Sequence, residues 1–566
     1  MSKTVKLFSK ESKELSSVPW NEYPRPLFKR DSFFCLNGEW DFSICSSNNV
    51  EPEFDEKIIV PFAPQSLLSG VDKLVKDSDI VYYKRDFTLP ENFLKDKVIL
   101  HFGAVDQFAE IRVNGLLLGS HSGGYQPFSF DITDCLKETN TIVVKCIDKL
   151  DNHILPYGKQ KHKRGGMWYT PVTGIWQTVW IESVPLQYIQ DVSCSVIGDT
   201  VKITAKGVEN GRVTVNTPYG DLSVDVVKNV AELKLSTIRY WSPEDPYLYY
   251  FTIETDCDKI TSYFAVRTLE IKEVNGFKRL CLNGKPYFFN GLLDQGYWSD
   301  GLFTPATPEL FKKDIETVKS LGFNMLRKHI KIEPQLFYYY CDKYGIVVFQ
   351  DMVNNGHYSF LRDTAFPTIG LQRLGDRLLH PNRESREAFK KAMLDTVDLL
   401  KNHPSVCYWT IFNEGWGQFN ADEMYKILKS VDDTRFIDST SGWFRRKLTD
   451  VDSRHVYFKK VKLNATDKPL VLSEFGGYSY KPQGHVFNEV NTYGYAKFET
   501  RDDFVNAVRK LYLDEILPLI DKGLCASVYT QVSDVEDETN GLLSYDREVL
   551  KLEASEFSDI AEQMKI

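Results

Sequence analysis

The chain contains 566 residues with a formal net charge of −9, and 13% of its residues are aromatic. This length is more than one hydrophobic core usually supports, so it predicts two to four domains. Neither charge sign is concentrated in a tail or a long block, which argues against nucleic-acid partners and against an anionic membrane surface.

The amino terminus, residues 1–6, lacks the apolar region of a signal peptide. No window of the sequence approaches the roughly 18 apolar residues that span a membrane. We therefore expect a cytoplasmic protein without a membrane segment. Ten cysteines are scattered along the chain with no Cys-x-x-Cys pair, so they predict free thiols and neither a zinc site nor a disulfide framework.

Short alternating strands dominate residues 1–183, as in 80–87 and 142–146. Asn114-Gly115 lies between two apolar runs, which is the strongest short signal for a β-hairpin. No helix-period segment of useful length interrupts the pattern. We predict an all-β sandwich of the jelly-roll kind for residues 1–183.

Residues 184–270 continue in strands, for example 201–205 and 249–254. Their spacing is typical of a small immunoglobulin-like β-sandwich. The sequence thus predicts a second β domain before the pattern changes.

Strand-like runs alternate with amphipathic helical segments in residues 271–566, which is the pattern of β/α units around a parallel sheet. Helices are predicted over residues 307–321, 333–344, 384–402 and 503–521. Eight strands would close into a (β/α)8 TIM barrel. These strands are 287–291, 324–327, 346–350, 406–412, 436–438, 455–457, 469–473 and 526–531.

Two glutamates stop apolar runs at the predicted carboxyl ends of strands 4 and 7. Glu414 follows Asn413, and Glu474 comes 60 positions later after the run 469–473. A TIM barrel carries its chemistry at these strand ends. Hydrolysis of a glycosidic bond requires two carboxyl groups on either side of the bond, so the pair predicts that reaction.

We assign Glu414 as the general acid/base and Glu474 as the nucleophile. Carboxyl groups about 5–5.5 Å apart would predict retention of anomeric configuration, and about 6.5–9.5 Å would predict inversion. The alternative for Glu414, a buried glutamate in a core ion pair, is disfavoured by the matching second site.

Other polar and aromatic residues follow predicted barrel strands and are candidates for the same site. Arg327 could hold Glu474 charged or could be a purely structural ion-pair partner. Tyr457 could donate to the nucleophile or could be a packed core tyrosine. The residues predicted to bind substrate are Asn413, Asp294, His329, Asp351, Trp416, Tyr457 and Gln531.

Several motifs resemble glycoside hydrolase family 2, the group containing β-galactosidases, β-glucuronidases and β-mannosidases. They are Leu-Asn-Gly-Glu-Trp at 36–40, Gly-Ile-Trp-Gln-Thr-Val-Trp at 174–180, Gly-Phe-Asn-Met-Leu-Arg-Lys-His at 322–329, Asn413-Glu414 and Glu474. The likeness extends from about residue 30 to about residue 550. It implies a retaining, exo-acting mechanism on terminal β-linked sugars, with a sugar-binding-like jelly roll, an immunoglobulin-like sandwich and a catalytic barrel.

The resemblance leaves the sugar open. β-Glucuronidases of the family grip the substrate carboxylate with an Asn-x-Lys motif, but here the matching region, 538–542, reads Glu-Thr-Asn-Gly-Leu. Large β-galactosidases lend an aspartate from a jelly-roll loop, where this chain has Arg-Gly-Gly-Met-Trp at 164–168. The acidic neighbours at 538 favour a neutral sugar over a glucuronide.

We therefore predict a β-galactosidase-like enzyme, or one acting on a related arabinopyranoside, with β-glucuronidase as the alternative. A non-catalytic carbohydrate-binding protein is the alternative from another class, and the presence of both glutamates disfavours it. Some family members use sodium and magnesium, but no ligand cluster is visible in this sequence, so no metal and no cofactor are predicted. A small saccharide or glycoside is the expected partner, and a homo-oligomer is possible.

Overall fold

Two antiparallel sheets form a sandwich at the amino-terminal end of the computed structural model, which describes residues 4–46, 52–368, 376, 379–380 and 382–566. Four strands run in the order β1-β12-β5-β9 and six in the order β3-β2-β4-β10-β7-β8. The strands are β1 Phe34–Cys35, β2 Gly38–Cys45, β3 Glu56–Val60, β4 Ile80–Phe87, β5 Lys97–Phe102, β6 Val105–Asp106, β7 Phe108–Val113, β8 Leu116–Ser122, β9 Phe128–Asp131, β10 Asn140–Ile147, β11 Gly174–Ile175 and β12 Val179–Val184.

Alternating burial along the strands explains why the two sheets pack face to face. In β10 the side chains of Ile142, Val144 and Cys146 are buried while those between them are less so, because successive residues of a strand point to opposite faces. Asn114-Gly115 connects β7 to β8 as predicted. The predicted jelly-roll sandwich is confirmed.

A second sheet domain follows in the order β13-β14-β17-β16-β15-β18-β19. A single residue pair, Val227 with Val230, joins β16 to β17, and side chains on both sides of that corner share one core. The seven strands are therefore the two halves of a small sandwich. They are β13 Asp191–Ile197, β14 Thr200–Lys206, β15 Asn210–Thr217, β16 Gly220–Val227, β17 Val230–Lys234, β18 Tyr249–Glu254 and β19 Lys259–Phe264.

Eight parallel strands form the barrel in the order β27-β26-β25-β24-β23-β32-β29-β28. They confirm the predicted TIM barrel, with bounds a few residues from those predicted. They are β23 Phe289–Asp294, β24 Met325–Lys328, β25 Val347–Asp351, β26 Val406–Asn413, β27 Phe436–Ser441, β28 Asp452–Val456, β29 Leu470–Gly476 and β32 Leu524–Thr530; the smaller strands are β20 Leu269–Val274, β21 Phe277–Leu282, β22 Lys285–Pro286, β30 Tyr478–Tyr480 and β31 Ala496–Phe498.

The sheet β20-β21-β22 covers the amino-terminal end of the barrel, because Leu280 and Leu282 pack with Phe289, Met325 and Val347 at the starts of barrel strands. The carboxyl ends are left for the site. None of the described helices combines the length and the apolar composition needed to cross a bilayer.

Helices surround the barrel where predicted, and three further helices of the described residues, α3, α5 and α8, were not predicted. α5 buries Met424 and Leu428, a stripe too short to stand out between two strands. A π-helical turn, Tyr512–Ile516, joins α6 to α7. The helices are α1 Glu309–Ser320, α2 Gln335–Tyr344, α3 Phe366–Thr368, α4 Arg383–Leu400, α5 Ala421–Val431, α6 Arg501–Leu511, α7 Leu517–Ile520 and α8 Ala554–Gln563.

Candidate active site

Glu414 and Glu474 meet at the carboxyl end of the barrel. Glu414 directly follows β26, whose eight residues are all buried, and Glu474 lies near the end of β29. A carboxylate oxygen of each glutamate and a ring nitrogen of His455 lie within 4.8 Å of one another. Parallel strands bring these side chains together because their carboxyl ends share one edge of the sheet.

The backbone at Glu414 is held in an unusual conformation. Glu414 has φ +53°, a left-handed value that costs a non-glycine residue roughly 1–3 kcal/mol. Its N–H donates to the carbonyl oxygen of Ser441 at 2.9 Å. Gly415 is also left-handed, and a Cβ there would lie 2.2 Å from the ring of Phe444, so only glycine fits. The turn aims the Glu414 carboxyl across the barrel mouth.

Glu474 is surrounded by groups that stabilise its charged form. Arg327 Nη1 lies 2.9 Å from Oε1, and the Tyr457 hydroxyl donates to Oε2 at 2.6 Å. Burial alone would raise the pKa of the Glu474 carboxyl, but His455 and Arg327 outweigh that effect and lower the pKa to about 2. The side chain is therefore an ionised carboxylate at neutral pH, as a nucleophile must be.

His455 lies between the two glutamates. Its Nδ1 is 2.8 Å from Glu414 Oε1 and 3.5 Å from Glu474 Oε2, and its Nε2 is 2.9 Å from Ser441 Oγ. The imidazole therefore lies within hydrogen-bond distance of both Glu414 and Ser441. Sequence reasoning placed His455 at a strand end but gave it no role.

Arg327 organises the floor of the site. Its guanidinium donates to Asp351 Oδ1 at 3.0 Å and to Asn413 Oδ1 at 2.9 Å, besides Glu474. A guanidinium only donates, so the oxygen of Asn413 faces it and the amide N–H groups are left for another acceptor. Arg327 thus occupies the position expected of a group supporting the nucleophile.

His329 is oriented by Asp351, whose Oδ2 lies 2.6 Å from its Nδ1. Burial and the nearby charge of Lys159 lower the pKa of His329 to about 4. Its imidazole is therefore neutral at physiological pH. Burial would raise the pKa of Asp351, but Arg327 and His329 outweigh burial and lower it.

A cavity opens over the two glutamates, which both line it. Four predicted binding residues line it, namely Asn413, His329, Trp416 and Tyr457. Trp416 donates its indole N–H to the Gly356 carbonyl at 3.0 Å and packs edge-to-face against Trp168. The two indole rings give the cavity flat apolar walls suited to a sugar ring.

Three other predicted binding residues do not line this cavity. Asp294 turns to the opposite side of its strand, where its carboxylate lies 2.6 Å from Lys328 Nζ. Asp351 is buried, and its carboxylate contacts Arg327 and His329. Gln531 is fully buried and accepts from Gln295 at 2.7 Å, so it acts on the cavity only through Gln295. A place at the end of a barrel strand predicts how far along the strand a residue lies, but it does not predict whether the side chain faces the cavity or the surrounding helices.

The cavity also contains residues that sequence reasoning missed or left in a loop. They include aromatic residues after the barrel strands and groups lent by the jelly roll. Of these, Glu538 belongs to the region 538–542 that the family resemblance placed near the substrate. The set is Lys159, Met167, Trp168, Gln295, Tyr358, Tyr493, Tyr495 and Glu538.

Two groups of described side chains have the proximity needed for a metal ion. One is Glu414, His455 and Glu474; the other is Asp77, Asp151 and His162 in the jelly roll. A cation in the first would occupy the oxygens that the catalytic pair needs, so these residues fit acid–base chemistry better than a resident metal. In the second, His162 Nε2 is already 2.6 Å from Asp77 Oδ1.

Comparison with known proteins identifies the family. The TIM barrel domain of glycosyl hydrolases family 2 matches residues 272–498, and the family's galactose-binding domain-like module matches residues 69–174. A β-galactosidase from Thermoanaerobacter pseudethanolicus is 25% identical over 488 residues, 80% of this chain and 60% of the relative. A mouse β-glucuronidase is 24% identical, over 67% of this chain and 63% of the relative.

The chain thus spans about 60% of the length of such curated relatives. Among solved structures, a Dictyoglomus thermophilum β-glucuronidase superposes with a TM-score of 0.70 at 18% identity, covering 96% of this chain and 98% of that one. A β-galacturonidase from Eisenbergiella tayi bound to galacturonate gives a TM-score of 0.66 at 18% identity, with 96% and 98% covered. At such identities the structures share the fold. The chain belongs to glycosyl hydrolase family 2.

Proposed function

We propose that this protein is a retaining exo-β-glycosidase that hydrolyses terminal β-linked sugars by double displacement. The observation that carries the proposal is the approach of Glu414, Glu474 and His455 to within 4.8 Å at the floor of one cavity. Carboxyl groups this close leave no room for the water that an inverting enzyme places between them.

In the first step, Glu474 attacks the anomeric carbon of the sugar while the bond from that carbon to the leaving oxygen breaks. Glu414 gives its proton to the leaving oxygen, so the aglycone departs as an alcohol. Arg327 and Tyr457 keep Glu474 ionised before the attack. Asn413, whose amide N–H groups have no hydrogen-bond acceptor among the described residues, can donate to a sugar hydroxyl as charge develops.

In the second step, Glu414 takes a proton from water, and the hydroxide oxygen bonds to the anomeric carbon. The ester bond to Glu474 breaks, which returns the carboxylate and releases the sugar with its original configuration. His455, 2.8 Å from Glu414, is placed to share the proton that Glu414 gains and loses.

Two classes of terminal sugar compete at this level. The sequence favoured a neutral sugar of the galactoside type, and the 25% identical β-galactosidase supports it. A β-uronide is the second candidate, supported by the β-glucuronidase relatives and by the β-galacturonidase of similar fold. A specific observation also favours the second candidate, since one lysine, Lys159, lines the cavity.

A panel of nitrophenyl β- and α-glycosides tests the proposed reaction. We expect turnover of at least one β-glycoside and none of the α-glycosides, with loss of turnover in Glu474→Ala. Binding of sugars by the wild-type protein without hydrolysis of any glycoside would instead support the non-catalytic carbohydrate-binding alternative.

A further inference from the structure

Lys159 reaches the catalytic cavity from the jelly roll, not from the barrel. It lies in the loop between β10 and β11 and lines the same cavity as Glu414 and Glu474. Among the described residues that line this cavity, it is the only lysine or arginine. The family's carboxylate-gripping lysine would come from the barrel near residue 540, where this chain has none.

The backbone on either side of Lys159 is fixed against the barrel. The N–H groups of Tyr157 and Gly158 both donate to the Asn354 carbonyl, at 3.1 and 3.2 Å. Gly158 has φ +68°, and a Cβ there would lie 3.0 Å from the Ile330 carbonyl oxygen. Only glycine allows the loop to approach the barrel this closely, so the loop delivers its next residue to a defined place.

The residues that follow are held as firmly. The Lys159 carbonyl accepts from the Tyr169 N–H at 2.9 Å. Gln160 is buried, donates to Asp106 at 3.1 Å and accepts from the Val172 N–H at 2.6 Å. The main chain is thus anchored on both sides of Lys159, so its side chain enters the cavity from a fixed position.

Within the described part of the chain the ammonium of Lys159 makes no hydrogen bond and no ion pair, although its charge offsets part of the rise that burial causes in the pKa of the Glu538 carboxyl. By contrast, the carboxylate of Glu538 in the same cavity accepts from the Tyr169 hydroxyl and, at 3.1 Å, from Asn540 Nδ2. Glu474 is paired with Arg327. The half-buried ammonium is therefore left to water and to any ligand that brings an anion into the cavity.

We propose that Lys159 is a specificity-determining residue of this site and that its ammonium binds the carboxylate of a terminal β-linked uronic acid. This inference rests on the proposed glycosidase function and names its substrate class. A carboxylate carries one negative charge, which one ammonium balances. A phosphate carries nearly two negative charges, and the charge that Lys159 does not balance would lie beside the Glu538 carboxylate.

The test compares nitrophenyl β-glucuronide and β-galacturonide with the β-galactoside, the β-glucoside and the 6-phospho-β-galactoside. Wild-type protein is expected to turn over a uronide with the highest kcat/KM. Lys159→Met should lower kcat/KM for uronides by roughly 10- to 100-fold, the contribution of a hydrogen bond to a charged group, and leave neutral glycosides within about 3-fold. The two uronides distinguish the C4 epimers.

Lys163→Met is the matched control, because Lys163 is exposed on the same loop and does not line the cavity. It should leave all substrates unchanged. Raising the salt concentration should raise KM for uronides and not for neutral sugars, since ions screen the contact. Lys159→Arg, which keeps the charge, should retain part of the uronide preference.

An equal loss on charged and neutral glycosides in Lys159→Met, or a wild-type preference for the galactoside or its 6-phosphate, would overturn the inference. Binding of free glucuronate and galacturonate to Glu474→Gln, measured by calorimetry with and without Lys159→Met, tests Lys159 without turnover. If no glycoside is hydrolysed but uronates bind through Lys159, the proposed reaction fails and this inference stands. If neither uronate binds to Glu474→Gln, the inference fails as well.

Discussion

Two buried charge networks start from adjacent residues of one barrel strand. On β24, Arg327 faces the barrel mouth and contacts Glu474 and Asp351, whereas Lys328 faces the surrounding helices and contacts Asp294 and Glu333. Both cations are about 1% exposed. They point to opposite sides because the side chains of a strand alternate.

The two networks differ in the cavity that they face. The Lys328 network includes Lys331, because both ammonium groups donate to Glu333. Lys331 Nζ lies 2.8 Å from Glu333 and also donates to the carbonyl oxygens of Gly296 and Phe303. All three N–H donors of Lys331 are therefore used. In the Arg327 network, Glu474 lines the cavity that it shares with Glu414, whereas Asp294 and Lys328 line a smaller, separate cavity. Buried charge alone therefore does not mark a functional site; here the site is marked by two carboxylates that converge on one cavity.

The largest effect should come from removing Glu474, the proposed nucleophile in the Arg327 network. We expect Glu474→Ala to lower kcat by on the order of 10⁵-fold or more, because no other group can form the glycosyl-enzyme. Added azide should restore part of the turnover and give a product of inverted configuration. Residual activity within about tenfold of wild type would mean that another residue attacks the sugar.

Loss of Glu414 should depend on the leaving group. In Glu414→Ala, turnover of a dinitrophenyl glycoside should fall little, since that leaving group needs no proton, whereas a methyl glycoside should lose roughly 10²- to 10⁴-fold. Steady-state kinetics on the two substrates measures the difference. The same loss on both would contradict the acid/base assignment.

Replacing Arg327 should change the pH dependence of activity. Glu474 must be ionised to attack, and its pKa is lowered to about 2 in part by Arg327, so wild-type kcat/KM should not fall through the ordinary carboxyl range near 4.5. In Arg327→Gln the pKa rises, and the acid limb of the profile should move upward into that range. Circular dichroism at each pH separates this shift from unfolding, and an unmoved limb in folded protein would be evidence against the Glu474 assignment.

A substitution in the Lys328 network should lower the stability of the protein and leave turnover unchanged. Asp294→Asn leaves Lys328 without one of its two carboxylates, and we expect a loss of about 3 kcal/mol in the free energy of unfolding. Its kcat/KM, measured below the melting temperature, should stay within about 3-fold of wild type, since Asp294 does not line the cavity. A large loss of kcat without loss of stability would show that Asp294 acts in substrate binding or catalysis.

The sequence was sufficient to predict the barrel and the meeting of Glu414 and Glu474 at one end of it, because apolar strands ending in glutamate are local patterns. It was not sufficient for Asp294, because a strand end does not tell which face the last side chain takes. Lys159 lies 255 positions before Glu414 in the chain, and only folding of the jelly-roll loop against Asn354 brings it to the cavity. Helix α5 was missed because its apolar stripe is short.

The configuration of the first sugar released tests the central claim most directly. Proton NMR of a β-glycoside that the enzyme hydrolyses should show the β-anomer first, with the α-anomer appearing later by mutarotation, because two displacements at Glu474 retain configuration. Initial release of the α-anomer would show a single displacement by water and would contradict the roles given to Glu414 and Glu474.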